Sequence, residues 1–450
     1  MKKTIVFLTL IAILLMAGCA PATTAPAPAT SAPATAAPAT QAPTTAPAAP
    51  VTITFWSWVP DIQTQVDEWN QSHPDIQVDY RNAGAGNGEY TVLNTALQAN
   101  SDIPDVVQIE YQHLPGYIAQ DALLDLVAYG ANDVKDQFVP WTWTQVSQGD
   151  AVYAYPQDAG PMVMFCNNKV LQDNNIAVPT TWDEFATAAA ALHQANPNVY
   201  LSNFTADQGW FFGMLWQSGA KPFIVNGTNI TIDFTSQEVM RVAKLWGDMM
   251  TAGVLSPIDT YTDDWNTALG NGTIACWQAG SWGTYISSYG PDYAGDWQVY
   301  LMPQWTAGGQ VDGNYGGSAI AVTKATAHPA EAAEFAQWLN TDPTVTLELT
   351  NADKAALFPT TLATLADPNW SDVTYDYWSG LPIHQVMAEA SKQVDPSFQW
   401  SPFTNFVYTT YGDLLVQVRA GQITFEAAMQ QLQDTVVQYA QDQGFTVTTP

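Results

Sequence analysis

The chain has 450 residues, 47% hydrophobic, 12% aromatic and only 12% charged, which excludes a wholly disordered protein and requires large cores. Its 42 acidic and 12 basic side chains give a net charge of −30. That field repels phosphate backbones and anionic membrane surfaces, so nucleic acid is excluded as a partner and neutral or cationic ligands remain. Three cysteines are too few for a disulfide-framework scaffold.

Lys2 and Lys3 precede an apolar run, Ile5 to Met16, which is too short to cross a bilayer as a helix. The run ends in Met16-Ala17-Gly18-Cys19, which resembles the lipobox of bacterial lipoproteins, with Met16 where that pattern prefers Leu. The resemblance implies a signal peptide over residues 1–19, lipid on Cys19, and residence on the outer face of the bacterial cell membrane. Residues 20–50 comprise 14 Ala, 8 Pro, 7 Thr, one Ser and one Gln. No core can form from these. Frequent proline favours extended chain of about 3.1 Å per residue, a spacer that holds a folded body away from a surface.

From Val51 onward strand and helix patterns alternate. Ile53 and Phe55 alternate with threonines, and Ile76, Val78 and Tyr80 repeat the strand pattern. Between them, Pro60 to Trp69 places Ile62, Val66 and Trp69 on one helical face. Asp105 to Ile109 predicts a buried strand after Pro104. Thr181-Trp182-Asp183-Glu184 predicts a capping box opening a helix through Leu192. Further helices are predicted over Gln237–Met250, from Pro329, and through Phe425, Met429, Leu432 and Val436. This alternation predicts α/β layers with parallel strands. Gly84-Ala-Gly86-Asn-Gly88 lacks the third glycine of a dinucleotide fingerprint at its proper place, opens no clear Rossmann helix, and is read as a flexible loop.

Six blocks in order resemble the large extracytoplasmic solute-binding proteins of carbohydrate ABC transporters, the maltose-type family. They are Val51-Thr-Ile-Thr-Phe-Trp-Ser-Trp58, Pro104 to Tyr111 with Gly116-Tyr117, and Tyr155-Pro-Gln-Asp158 with Phe165-Cys-Asn-Asn-Lys169. Pro179-Thr-Thr-Trp182-Asp-Glu-Phe185, Gly272 to Cys276 with Gly280-Ser-Trp282, and Gly316-Gly317 through His328-Pro329 complete the series. The resemblance implies a two-lobed α/β fold of the periplasmic-binding-protein type (type II). Three segments would cross between lobes, near Tyr155–Gly160, Asp312–Gly316 and Leu357–Thr361. The lobes would be 51–157 with 314–357, and 161–312 with 361–450. A ligand would sit in the cleft between them, enclosed by hinge closure.

Placed on the family, the first loop offers Trp58 and Asp61, the second Glu110, Tyr111 and Gln112, and the first crossing Asp158. Trp210, Trp282 and Trp400 would bring aromatic faces to the cleft, and Tyr315, Gly316 and Gly317 would bring backbone. Sugar rings pack flat C–H faces on aromatic rings while their hydroxyls need fixed acceptors and donors, which suits the chain's 18 tryptophans and its carboxylates. Each of these residues also has an ordinary structural role open to it, as core or as helix cap. Cys166 and Cys276 are read as two inert buried thiols, with a disulfide between them as the alternative. The implied function is a lipid-anchored, monomeric receptor that delivers a sugar to ABC permease transmembrane subunits and uses no cofactor. The alternatives are a secreted glycoside hydrolase and a binder of a cationic solute such as a polyamine. The five histidines are scattered without metal-ligand spacing, and no nucleophile-elbow motif occurs, so catalytic and metal roles are not assigned.

Overall fold

Alternating burial along Val51–Trp56 gives the first strand, and a computed structural model describes it and the rest of residues 50–290, 293–352 and 354–450. The signal peptide, Cys19 and the spacer up to residue 49 lie outside the described residues. Val51–Trp56 pairs in parallel with Ile76–Arg81 on one side and Val106–Glu110 on the other. Ser318–Val322 then inserts antiparallel between Val106–Glu110 and Ala154–Pro156, completing a five-stranded sheet. Phe55 and Trp69 meet Phe335 edge-on, at 5.3 and 5.4 Å between ring centres, so helix Pro329–Thr341 covers this sheet.

A second sheet is built from Met162–Asn167, flanked by Cys276–Gly280 and Trp297–Leu301. Both pairings are antiparallel, which corrects the expectation of parallel strands throughout. Its core is aromatic: Trp182, Trp210, Trp246 and Phe204 interlock through edge-to-face contacts. The capping box forms as expected, with Thr181 Oγ1 accepting from the Glu184 N–H and Glu184 accepting from the Thr181 N–H. One helix start moves. Asp61 takes a left-handed backbone at φ +58°, so that helix begins at Gln63, three residues beyond Pro60.

Cys166 and Cys276 are directly opposed across neighbouring antiparallel strands, with Cα atoms 4.1 Å apart, and they form a disulfide. This corrects the reading of two free thiols. A separation of 110 residues hid the proximity from the sequence.

Three chain segments run side by side between the two sheets. Asp158 bridges to Pro359, and Ala159 donates its N–H to Phe358 O at 3.2 Å. Gly160 donates to Asn314 Oδ1 at 2.8 Å, and Tyr315 donates to Gly160 O at 2.8 Å. Gly160 is required by contact: a Cβ there would come within 2.0 Å of Tyr315 O. The fold is thus the two-lobed arrangement with three crossings.

Candidate functional site

The strand Val106–Glu110 ends at Glu110, and ligands of α/β folds bind beyond the C-terminal ends of such parallel strands. Beyond that end lies a cleft of about 720 Å³, walled from both lobes and floored by the second crossing. A larger groove of about 960 Å³, between 247–258 and 418–426, lies within one lobe and touches no crossing segment. The cleft, unlike that groove, is bordered by a crossing segment.

Of the residues anticipated from sequence, the cleft brings together Glu110, Gln112, Trp282, Tyr315, Gly316, Gly317 and Trp400. Trp282 lies half-buried, its indole N–H donating to Tyr315 O at 2.7 Å and its ring parallel to Tyr285. Gly317 holds φ +88°, with Tyr111 and Ala159 too close to admit a Cβ.

Five anticipated residues lie outside this lining. Trp210 is fully buried, its indole N–H donating to Gln278 O, because its helix is apolar on all faces and every residue of it from Trp210 to Gln217 is enclosed. Tyr111 is also buried, its hydroxyl donating to Asp158 O. Asp158 turns its carboxylate to Ser318, accepting from the N–H and the hydroxyl, and so fastens the first crossing to the returning strand. Trp58 packs edge-on against Tyr90, whose hydroxyl in turn donates to Glu110. Asp61 is solvent-exposed at its left-handed turn.

Residues that sequence reasoning missed complete the wall: Gly86, Asn87, His113, Asp207, Gln208, Gly209, Tyr261, Asn405, Tyr408 and Thr409. Gly86 and Asn87 belong to the glycine-rich stretch, which in fact opens helix Asn87–Ala99. Asp207 caps helix Gln208–Gln217 by accepting from the Trp210 N–H at 3.1 Å. Tyr261 has φ +69°, an unusual conformation for an aromatic residue, and its side chain bonds the Tyr315 hydroxyl at 2.7 Å. It is 45% exposed and lines the cleft.

Burial dominates the electrostatics. Glu110 accepts from the Tyr90 hydroxyl at 3.0 Å. Burial pushes its carboxyl up to about 7, the Tyr90 and Gln112 hydrogen bonds oppose the rise, and the Asp158 and Asp207 charges add to it. Burial lifts Asp158 to about 6, against the pull of the Ser318 hydrogen bonds. It lowers His113 to about 4, leaving that ring neutral at ordinary pH.

Glu89, in the first turn of helix Asn87–Ala99, is fully buried with no hydrogen-bond partner for either carboxyl oxygen. A helix N-terminus favours an anion, yet burial and the Glu110 charge raise the Glu89 carboxyl to about 8. From about pH 4.5 to 8, the folded chain holds a proton that the unfolded chain releases, so stability falls as pH rises through that window. Glu89→Gln should therefore stabilise the protein at pH 8.5 by at least about 1 kcal/mol and leave it nearly unchanged at pH 4.5. Urea unfolding at the two pH values measures this. Equal destabilisation at both would refute the neutral-carboxyl assignment.

Residues 56–345 match the family described as bacterial extracellular solute-binding protein. An arabinooligosaccharide-binding protein of Halalkalibacterium halodurans is 24% identical over 63% of this chain and 66% of its own length, just under two thirds. A transporter-associated binding protein of B. animalis subsp. lactis, solved with β-1,6-galactobiose, is 29% identical with a TM-score of 0.76. That match covers 89% of this chain and all of the solved one. The galacto-N-biose/lacto-N-biose I-binding protein of Bifidobacterium longum has the same fold, at 23% identity and a TM-score of 0.78, over 89% of this chain and all of its own.

Proposed function

This chain belongs to the bacterial extracellular solute-binding protein family, and on that footing we propose that it is the sugar-capturing receptor of an ABC importer. The observation that carries the reading is the cleft wall itself. The Trp282 and Tyr261 rings stand beside Glu110, Asp207, Gln112 and Asn405, the mixture of flat apolar faces and hydrogen-bonding groups that a sugar ring requires. The relatives named for arabinooligosaccharide and solved with galactobiose support an oligosaccharide over a single sugar.

In this reading the lobes are 51–157 with 314–357, and 161–312 with 361–450. They close on the ligand by bending at the three crossings, and the closed, monomeric receptor presents the sugar to the permease's transmembrane subunits. No cofactor takes part, and the ligand leaves chemically unchanged. Tryptophan-fluorescence titration of the purified protein against arabino- and galacto-oligosaccharides tests the proposal. Saturable quenching with the sugar recovered intact supports it. No response to any oligosaccharide, or multiple-turnover cleavage, overturns it.

Lipid on Cys19 and an uncharged spacer would tether the receptor to the outer face of the cell membrane. Cys19→Ala should move the protein from the membrane fraction to the soluble one. A variant that remains membrane-bound by immunoblot would remove the lipobox assignment.

A further inference from the structure

Glu110 and Asp207 reach the cleft from opposite lobes, one at a strand end and the other at a helix start. Each is an acceptor, and the charge of Asp207 adds to the cost of ionising Glu110. Among the described residues no lysine or arginine lines the cleft, and its one basic ring, His113, is held neutral by burial. A cavity walled by one sign of charge focuses that field on whatever enters, and the chain's net charge of −30 reinforces it.

Two further polar groups at this wall stand unpartnered. Trp400 is only 6% exposed, lines the cleft, and has no acceptor for its indole N–H. Tyr408 also lines it, and its buried hydroxyl has no partner although it feels the charges of both Glu110 and Asp207. An unmade hydrogen bond at a buried group is costly, so both groups gain from any ligand acceptor that reaches them.

Resting on the sugar reading above, we propose that the cleft selects a sugar carrying a protonated amine, seated between Glu110 and Asp207. An ammonium group supplies three donors and a positive charge where a hydroxyl supplies one donor and none. It sets a positive charge beside two carboxyl groups of which one raises the cost of ionising the other, and charge-assisted contacts are shorter and roughly twice as strong as neutral ones. The sugar's ring oxygens and hydroxyls remain as acceptors for Trp400 and Tyr408. A carboxylate or phosphate on the ligand meets only like charge.

The test compares matched probes in the fluorescence titration near pH 7: a neutral disaccharide, its amino-deoxy counterpart and its uronic-acid counterpart. The amino sugar should bind at least about tenfold more tightly than the neutral one. That advantage, read as the ratio of amino-sugar to neutral-sugar affinity within one protein, should shrink in high salt and fall to about one in Glu110→Gln, whatever that variant does to the neutral sugar alone. The acid should bind weakest. An amino sugar no tighter than its neutral counterpart overturns the proposal and leaves the sugar reading standing, as does an advantage that survives in Glu110→Gln. Binding of a simple diamine with no response to any sugar would overturn both.

Discussion

Trp282→Ala should weaken oligosaccharide binding by about thirtyfold or more, equivalent to about 2 kcal/mol for a central aromatic contact. The ring does two things at once. It borders the cleft, and its indole N–H holds Tyr315 O in the second crossing at 2.7 Å. Three glycines make room for it: a Cβ at Gly160, Gly280 or Gly316 would come within 3.1 Å of the indole. Truncation therefore removes a stacking face and leaves the crossing carbonyl to water. Some loss of melting temperature is expected, because Tyr285 and Tyr315 also lose a partner. Trp282→Phe separates the contributions, since it keeps an aromatic face while losing the hydrogen bond. A large fall in melting temperature with unchanged affinity in Trp282→Ala would remove this residue from the site.

Removing the Cys166–Cys276 bridge should cost about 2–4 kcal/mol. The bond closes a loop of 110 residues, and chain entropy alone assigns loops of that size nearly 5 kcal/mol. Measured losses usually fall below that figure, because the unlinked denatured chain keeps residual structure. Both cysteines are fully buried, Cys166 on the central strand of its sheet and Cys276 on the neighbouring one, so Cys166→Ala/Cys276→Ala also leaves a small void. The urea midpoint of the double variant should lie well below that of the parent. Reductant present during unfolding should bring the parent down to the same value and leave the variant alone. Equal midpoints for parent and variant in the absence of reductant would show that the bridge contributes nothing.

What could be read in advance was local. Ile53 and Phe55 announce their strand by period, Thr181 to Glu184 announces its cap, and Glu110 follows from lying at the end of an apolar run. Pairings across long separations were not legible, since nothing in the residues near Cys166 points to Cys276. Trp210 was misjudged although its signal was present: eight of the ten residues in Gln208–Gln217 are apolar or glycine, the mark of a helix buried all round. Tyr261 gave no warning. It stands in a polar stretch, Asp259-Thr-Tyr-Thr-Asp263, and neither its left-handed backbone nor its place in the cleft lining is signalled there. Asp207 was passed over, although an Asp directly before an apolar helix is a common cap, and its place at the cleft depends on the other lobe.

The strand Ser318–Val322 has one further consequence, for the order in which the molecule can be made. It is the middle neighbour of both Val106–Glu110 and Ala154–Pro156, and it is synthesised roughly 160 residues after the latter. Until it emerges, two strand edges of the first lobe face nothing, and the largest sheet cannot close. The N-terminal half of a nascent chain is thus held short of a native unit by topology, independent of any stabilising contact it has already formed. Long-range pairing of this kind slows folding. The last piece of the first lobe arrives only when most of the chain has been made.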